Sequence, residues 1–112
     1  MKLLNCKEVK VNEDGISFTI KPVTKALQIG YINAAYTTSG ESDFVRQMAL
    51  VDYILSDCIT DLVIDGVEYD PVEYAENSNL MDGDTQDKMR QIYTMAYPAL
   101  EGLSAEDEKK SE

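Results

Sequence analysis

Leu50 to Pro71 reads LVDYILSDCITDLVIDGVEYDP, and a change of period inside it decides the fold. Upstream and into this run, Phe44, Val45, Met48, Val51, Ile54 and Leu55 recur at spacings of three and four. Cys58 closes the stripe. That period predicts an amphipathic helix of roughly four turns. The period then drops to two. Leu62 and Ile64 alternate with Val63 and Asp65, and Val67 and Tyr69 alternate with Glu68 and Asp70. Asp65-Gly66 between them is the residue pair that a two-residue type I′ hairpin turn demands, because both positions need positive φ. Pro71 ends the second strand, since it has no N–H for a ladder. A helix running into a short hairpin predicts an α+β fold.

On the N-terminal side, Val9 to Ile20 reads VKVNEDGISFTI, a second hairpin with its turn in NEDG. Leu3 and Leu4 are expected to extend its first strand. Lys21-Pro22 breaks the pattern and Thr24 is the candidate N-cap of a helix of about three turns. Its tract QIGYINAAY has a strand as its alternative reading. TTSG at 37–40 is a loop, and Ser42 or Asp43 caps the next helix. On the C-terminal side, Val72 to Ala75 adds one turn of helix and residues 76–87 form a polar loop. A last helix from Asp84 or Thr85 carries Met89, Ile92, Tyr93 and Met95, with Pro98 kinking or ending it. Leu100 and Leu103 pack beyond. The expected architecture is an N-terminal β-hairpin, two to three packed helices and a short second hairpin between helices. It forms a single domain over residues 1–103. SAEDEKKSE at 104–112 reads as a disordered charged tail.

The chain has 112 residues, enough for one domain with a modest core. It contains no apolar run of membrane-spanning length and no signal-peptide pattern, so it reads as intracellular. Its net charge of −11 is uneven. Residues 1–40 carry five lysines against three acids, whereas residues 41–112 carry 18 acids against five bases. A surface of that sign repels phosphate backbones and argues against nucleic acid as a partner. It suits solubility or docking to a basic partner.

Catalytic and metal chemistry find little footing. The chain has no histidine, the commonest general base. Asp57, Asp61 and Asp65 are acids among many. Cys6 and Cys58 form no CxxC pair and read as free thiols, and the acids beside Cys58 raise its pKa rather than activate it. Setting Gly83 as the glycine of a calcium loop puts Ser78 and Leu80 at two ligand positions and Met89 at the closing glutamate position, which does not fit. Asp82, Asp84 and Asp87 are better read as favouring a helix N-terminus. No catalytic residue, cofactor or metal is expected. Tyrosines crowd the acidic part together with Met81, Met89 and Met95, and both residue types are favoured at adaptable contacts. The first reading of the same tyrosines is as core edges with wet hydroxyls, and binding is the runner-up. The candidate partner-binding residues are Tyr53, Asp57, Asp61, Asp65, Tyr69, Tyr74, Tyr93 and Tyr97, with the Asp65-Gly66 hairpin expected to project.

The order of elements from FTIKPVT (18–24) through DCITDLVIDGVEYDP (57–71) to a final helix resembles the tail assembly chaperones of long-tailed bacteriophages and prophages. These small proteins are encoded just before the tape-measure protein. The matching positions are Cys58, Ile59, Gly66 and Pro71, and more loosely Phe18 to Thr24. The ordering spans residues 16–100. The chain departs from the family in having no tryptophan in the strand region. The resemblance implies a non-enzymatic protein of the bacterial cytoplasm. It would bind the tape-measure protein, keep its long helices soluble and help recruit tail tube subunits. Many such proteins also have a frameshifted long form. The acidic half would suit a basic or amphipathic helical client. Competing readings are a structural tail or head–tail protein of the virion and an acidic DNA-mimic inhibitor. A tyrosine- and methionine-rich face also makes a homo-oligomer an expectation.

Overall fold

The computed structural model describes residues 7–101. Leu3, Leu4, Cys6, Leu103 and the predicted tail at 104–112 lie outside them. The chain is α+β, a four-stranded antiparallel sheet with helices packed on it. Strands β1 (Val9–Glu13) and β2 (Ile16–Ile20) form the first hairpin, and β3 (Ile59–Ile64) and β4 (Val67–Tyr69) the second. Helices α1 (Lys25–Thr37) and α2 (Asp43–Tyr53) connect β2 to β3, while α3 (Pro71–Asn77) and α4 (Gly83–Leu100) follow β4. Both predicted hairpins form. They are also neighbours in one sheet of order β1-β2-β3-β4, because β2 pairs with β3.

Both turns carry the predicted chemistry. Asp14-Gly15 has φ of 47° and 83°, and Asp65-Gly66 has φ of 51° and 82°. Positive φ at both central residues matches the right-handed twist of the flanking strands. The core face of the sheet is set by alternation: Ile16, Phe18 and Ile20 of β2 with Ile59, Leu62 and Ile64 of β3 are all buried. The opposite face is polar, carrying Lys10, Asn12, Ser17, Thr60 and Glu68.

Ile59 and Leu62 are an odd number of residues apart yet share a face. A bulge reconciles them. The β2–β3 register runs Ser17↔Val63 and then Thr19↔Thr60, so Phe18 faces two residues of β3. The extra residue is Asp61, held at φ 58°. Positive φ is a conformation that aspartate tolerates better than most residues.

Thr24 caps α1 through a bond from the Leu27 N–H (3.2 Å), which resolves the tract QIGYINAAY as helix. Ser42 caps α2 through the Val45 N–H (3.3 Å). The predicted four-turn helix is α-helical only to Tyr53, and Ile54–Cys58 closes it as a π-helical turn. This wider turn keeps Ile54, Leu55 and Cys58 all buried while Ser56 and Asp57 face solvent. At the other end of the stripe, Phe44 and Val45 are exposed, because α2 begins before it reaches the core. α3 is longer than the single predicted turn, with Asp70 capping the Glu73 N–H (3.3 Å) and Pro71 at the first helical position. α4 starts earlier than predicted, capped by Asp82 through the Thr85 N–H (3.0 Å). Pro98 falls inside its last turn rather than ending it. α2 and the π turn form the centre of the helical layer, touched by α1, α3, α4 and β3.

Candidate functional site

The strands β3 and β4 are unequal. β4 pairs only with Leu62, Val63 and Ile64 of β3, then turns away at Asp70-Pro71 into α3. The first half of β3 is therefore left beside an open lane. A cleft of about 590 Å³ fills that lane between β3, β4, the π turn and the start of α3. Val63, Tyr69 and Val72 offer its accessible apolar surface above the buried Leu55, Ile59, Leu62 and Pro71, and Asp61, Glu68 and Asp70 contribute acids. Lys21 is the single base among the lining residues. Tyr69 stands at the edge, 41% exposed, with its ring edge-on to Tyr74 at a centroid distance of 5.1 Å. A second depression of about 360 Å³ continues past Tyr69 and Tyr74 to Glu73 and Asn77. The Ser78 hydroxyl bonds to the Tyr74 carbonyl, and burial raises the Tyr74 phenol above its usual pKa. An acidic cleft with exposed Val72 and Tyr69 at its edge can hold a short segment that offers Lys or Arg and a small apolar contact.

Three of the eight predicted residues, Asp61, Tyr69 and Tyr74, converge on these depressions. Asp57 lies on the π turn next to the cleft-lining Ser56. The other four are elsewhere. Tyr53 donates to the Leu27 carbonyl (2.8 Å) and joins α2 to α1. Tyr93 and Tyr97 stack on α4 at 5.2 Å, and the Tyr31 hydroxyl reaches the Tyr93 hydroxyl at 3.5 Å. The Asp65-Gly66 turn is exposed but tied down on one side. The Asp65 N–H donates to the Gly15 carbonyl (2.8 Å), binding the two turns together, and Lys88 of α4 pairs with the Asp65 carboxylate at 3.3 Å. Glu68 and Asp70 belong to the site and were not predicted. The alternation that marks β4 gives no sign that the strand stops short of its partner.

Cys58 is buried in the core, and burial, with Asp57 adding, pushes its thiol up to about 12. It is a neutral thiol at physiological pH. An acid with a raised folded pKa contributes stability that is complete below its unfolded value and is lost as pH rises toward the folded one. For Cys58 that window runs from 9.0 to about 12. Tyr31, Tyr53 and Tyr74 shift the same way, chiefly by burial, from 10.0 upward. Thermal melts at pH 8, 10 and 11 should show falling stability, with a shallower fall in Cys58→Ala. Equal slopes for the two proteins would remove Cys58 from the account.

Among the described residues, no group of three or more His, Cys, Asp or Glu side chains is arranged to hold a metal, and no helix is long and apolar enough to cross a membrane. No family model, curated protein or solved structure matches the chain.

Proposed function

We propose that this chain is a non-enzymatic binding protein that receives a basic or amphipathic segment of a partner in the acidic cleft beside β4. We further propose that it acts as a tail assembly chaperone. Its client would then be a phage tape-measure protein, and it would help recruit tail tube subunits. The observation that carries the binding reading is the cleft itself, with apolar residues along its lining, Asp61, Glu68 and Asp70 around it, and an exposed tyrosine at its edge. Acids at such a rim speed encounter with a cationic segment, while contact with the exposed Val72 and Tyr69 supplies residence. The chaperone reading adds the resemblance of residues 16–100 to that family.

Asp61→Gly separates binding from folding. Glycine adopts the positive φ at residue 61 without strain, so the bulge should persist and the melting temperature should stay within a few degrees. The rim loses one charge. Affinity for the client is expected to fall by about 3- to 10-fold, and more when Tyr69→Ala is added. Isothermal titration with the client segment at two salt concentrations measures both effects. Affinity-tagged protein should retain tape-measure or tube protein from a lysate containing both. Recovery of neither would sink the chaperone assignment, and an unchanged affinity in the double variant would sink the cleft.

A further inference from the structure

The solvent-facing side of α1 carries a pattern that the cleft does not use. Lys25, Ile29, Ile32 and Tyr36 are spaced by four, three and four residues. At about 100° per residue they fall within an arc of about 60°. That spacing is the seam of a paired helix, in which apolar side chains repeat every 3.5 residues on average. Ile29, Ile32 and Tyr36 are 51%, 63% and 78% exposed, and no described element covers them. Leu27, Gly30, Tyr31 and Ala34, on the opposite side of the helix, face the core and α2.

We infer that a second copy of this chain covers the seam, with the two α1 helices antiparallel about a twofold axis between Ile29 and Ile32. Charge selects the occupant. Between residues 22 and 40 the only charged side chain is Lys25, in a protein of net charge −11. Pairing through α1 therefore joins two strongly acidic molecules along a helix that carries no acid, with Glu101 as the acid at its border, whereas a cationic client is drawn to the acids elsewhere. Charge also selects the direction. A parallel pair would set Lys25 against Lys25. In the antiparallel pair each Lys25 lies over the Tyr36 ring of the partner copy, beside the negative end of that copy's α1, and both contacts favour an ammonium. Each Ile29 meets the other copy's Ile32. A groove of about 440 Å³ runs along Ile32 between α1 and the end of α4, bordered by Gln28, Tyr31, Ala35, Leu100 and Glu101, whose carboxylate accepts from the Tyr31 hydroxyl (3.2 Å), and has room for the incoming side chain.

The three large side chains leave on the order of 400 Å² uncovered per copy. A standard stable interface takes about 800 Å² from each partner. The pair is therefore weak, with a dissociation constant roughly between 10 μM and 1 mM. No seam residue lines the cleft, so the pairing stands apart from the proposed function.

Sedimentation equilibrium of the full chain across this concentration range should show a monomer–dimer equilibrium. Ile32→Glu places a charge on an already exposed position. It should retain its circular dichroism spectrum and weaken association about 100-fold. Cysteine crosslinking reads the direction, in chains where Cys6 is replaced by serine. Lys25→Cys mixed with Tyr36→Cys should form a disulfide-linked dimer under mild oxidation. Lys25→Cys alone should not, because its two thiols lie about 16 Å apart along the helices. A wild-type chain that stays monomeric up to 1 mM overturns the inference. So does a dimer indifferent to Ile32→Glu, and crosslinking of Lys25→Cys with itself overturns the antiparallel arrangement.

Discussion

Leu62→Ala is expected to destabilise the protein by about 3–4 kcal/mol. Leu62 has no exposed surface and sits on the core face of β3, one residue past the bulge. Its strand neighbours are Phe18, across the bulge, and Tyr69, its register partner on β4. Removing the side chain forfeits its transfer free energy and leaves a hole that the paired strands on both sides keep from closing. A domain of this size has about 5–15 kcal/mol in all, so the loss is a large share. The melting temperature should drop by roughly 12–30 °C. Leu80→Ala is the control. Leu80 is 39% exposed in the loop before α4, and its removal should cost no more than about 0.5 kcal/mol. Urea melts of both variants settle the comparison. A cost below about 1 kcal/mol for Leu62→Ala would mean that β3 is not the centre of the core.

The same strand marks where the sequence is legible and where it is not. Asp14-Gly15 and Asp65-Gly66 announce their turns because few other dipeptides take positive φ at both positions. Thr24 and Ser42 announce helix starts because a side-chain oxygen must meet the orphan N–H groups there. These are local demands met by local residues. The pairing of β2 with β3 is different, since residues 21–58 intervene and no residue of either strand encodes its neighbour. The bulge hid Ile59–Asp61 from the strand reading, as Asp61 breaks the alternation that defines a strand. The π turn was equally silent, because Ile54, Leu55 and Cys58 satisfy an α-helical period just as well. The candidate site inherits these gaps. Its acids were visible as acids, but the cleft exists only because β4 is three residues long beside a six-residue β3. The stripe on α1 was masked for another reason. Leu27, Tyr31 and Ala34 on the buried side are as apolar as Ile29, Ile32 and Tyr36 on the exposed side, so the helix shows no contrast between faces.

Gly30→Ala is expected to destabilise the protein even though Gly30 lies inside a helix. On helix propensity alone the change should gain about 1 kcal/mol. The packing of Tyr53 reverses the sign. A Cβ built on Gly30 would lie 2.1 Å from the Tyr53 hydroxyl oxygen, 2.5 Å from Cζ and 2.7 Å from Cε1. No adjustment of the hydroxyl alone relieves contacts with the two ring carbons, so the ring must leave. Its departure breaks the bond to the Leu27 carbonyl and uncovers part of the α1–α2 interface. The lost hydrogen bond and packing together cost about 2–4 kcal/mol, which outweighs the propensity gain and leaves a net loss of about 1–3 kcal/mol. Tyr53→Ala alone should also destabilise, by about 2–3 kcal/mol, since the ring is half-buried. The decisive measurement is the double variant. Once Tyr53 is alanine, nothing opposes the new methyl, and Gly30→Ala should then stabilise by about 0.5–1 kcal/mol. Tyr53→Phe should not rescue Gly30→Ala, because the Cζ and Cε1 contacts remain. A thermodynamic cycle of the four proteins therefore predicts a change of sign at residue 30. If Gly30→Ala costs the same in both backgrounds, Tyr53 does not set the spacing of α1 and α2, and its place between them is incidental.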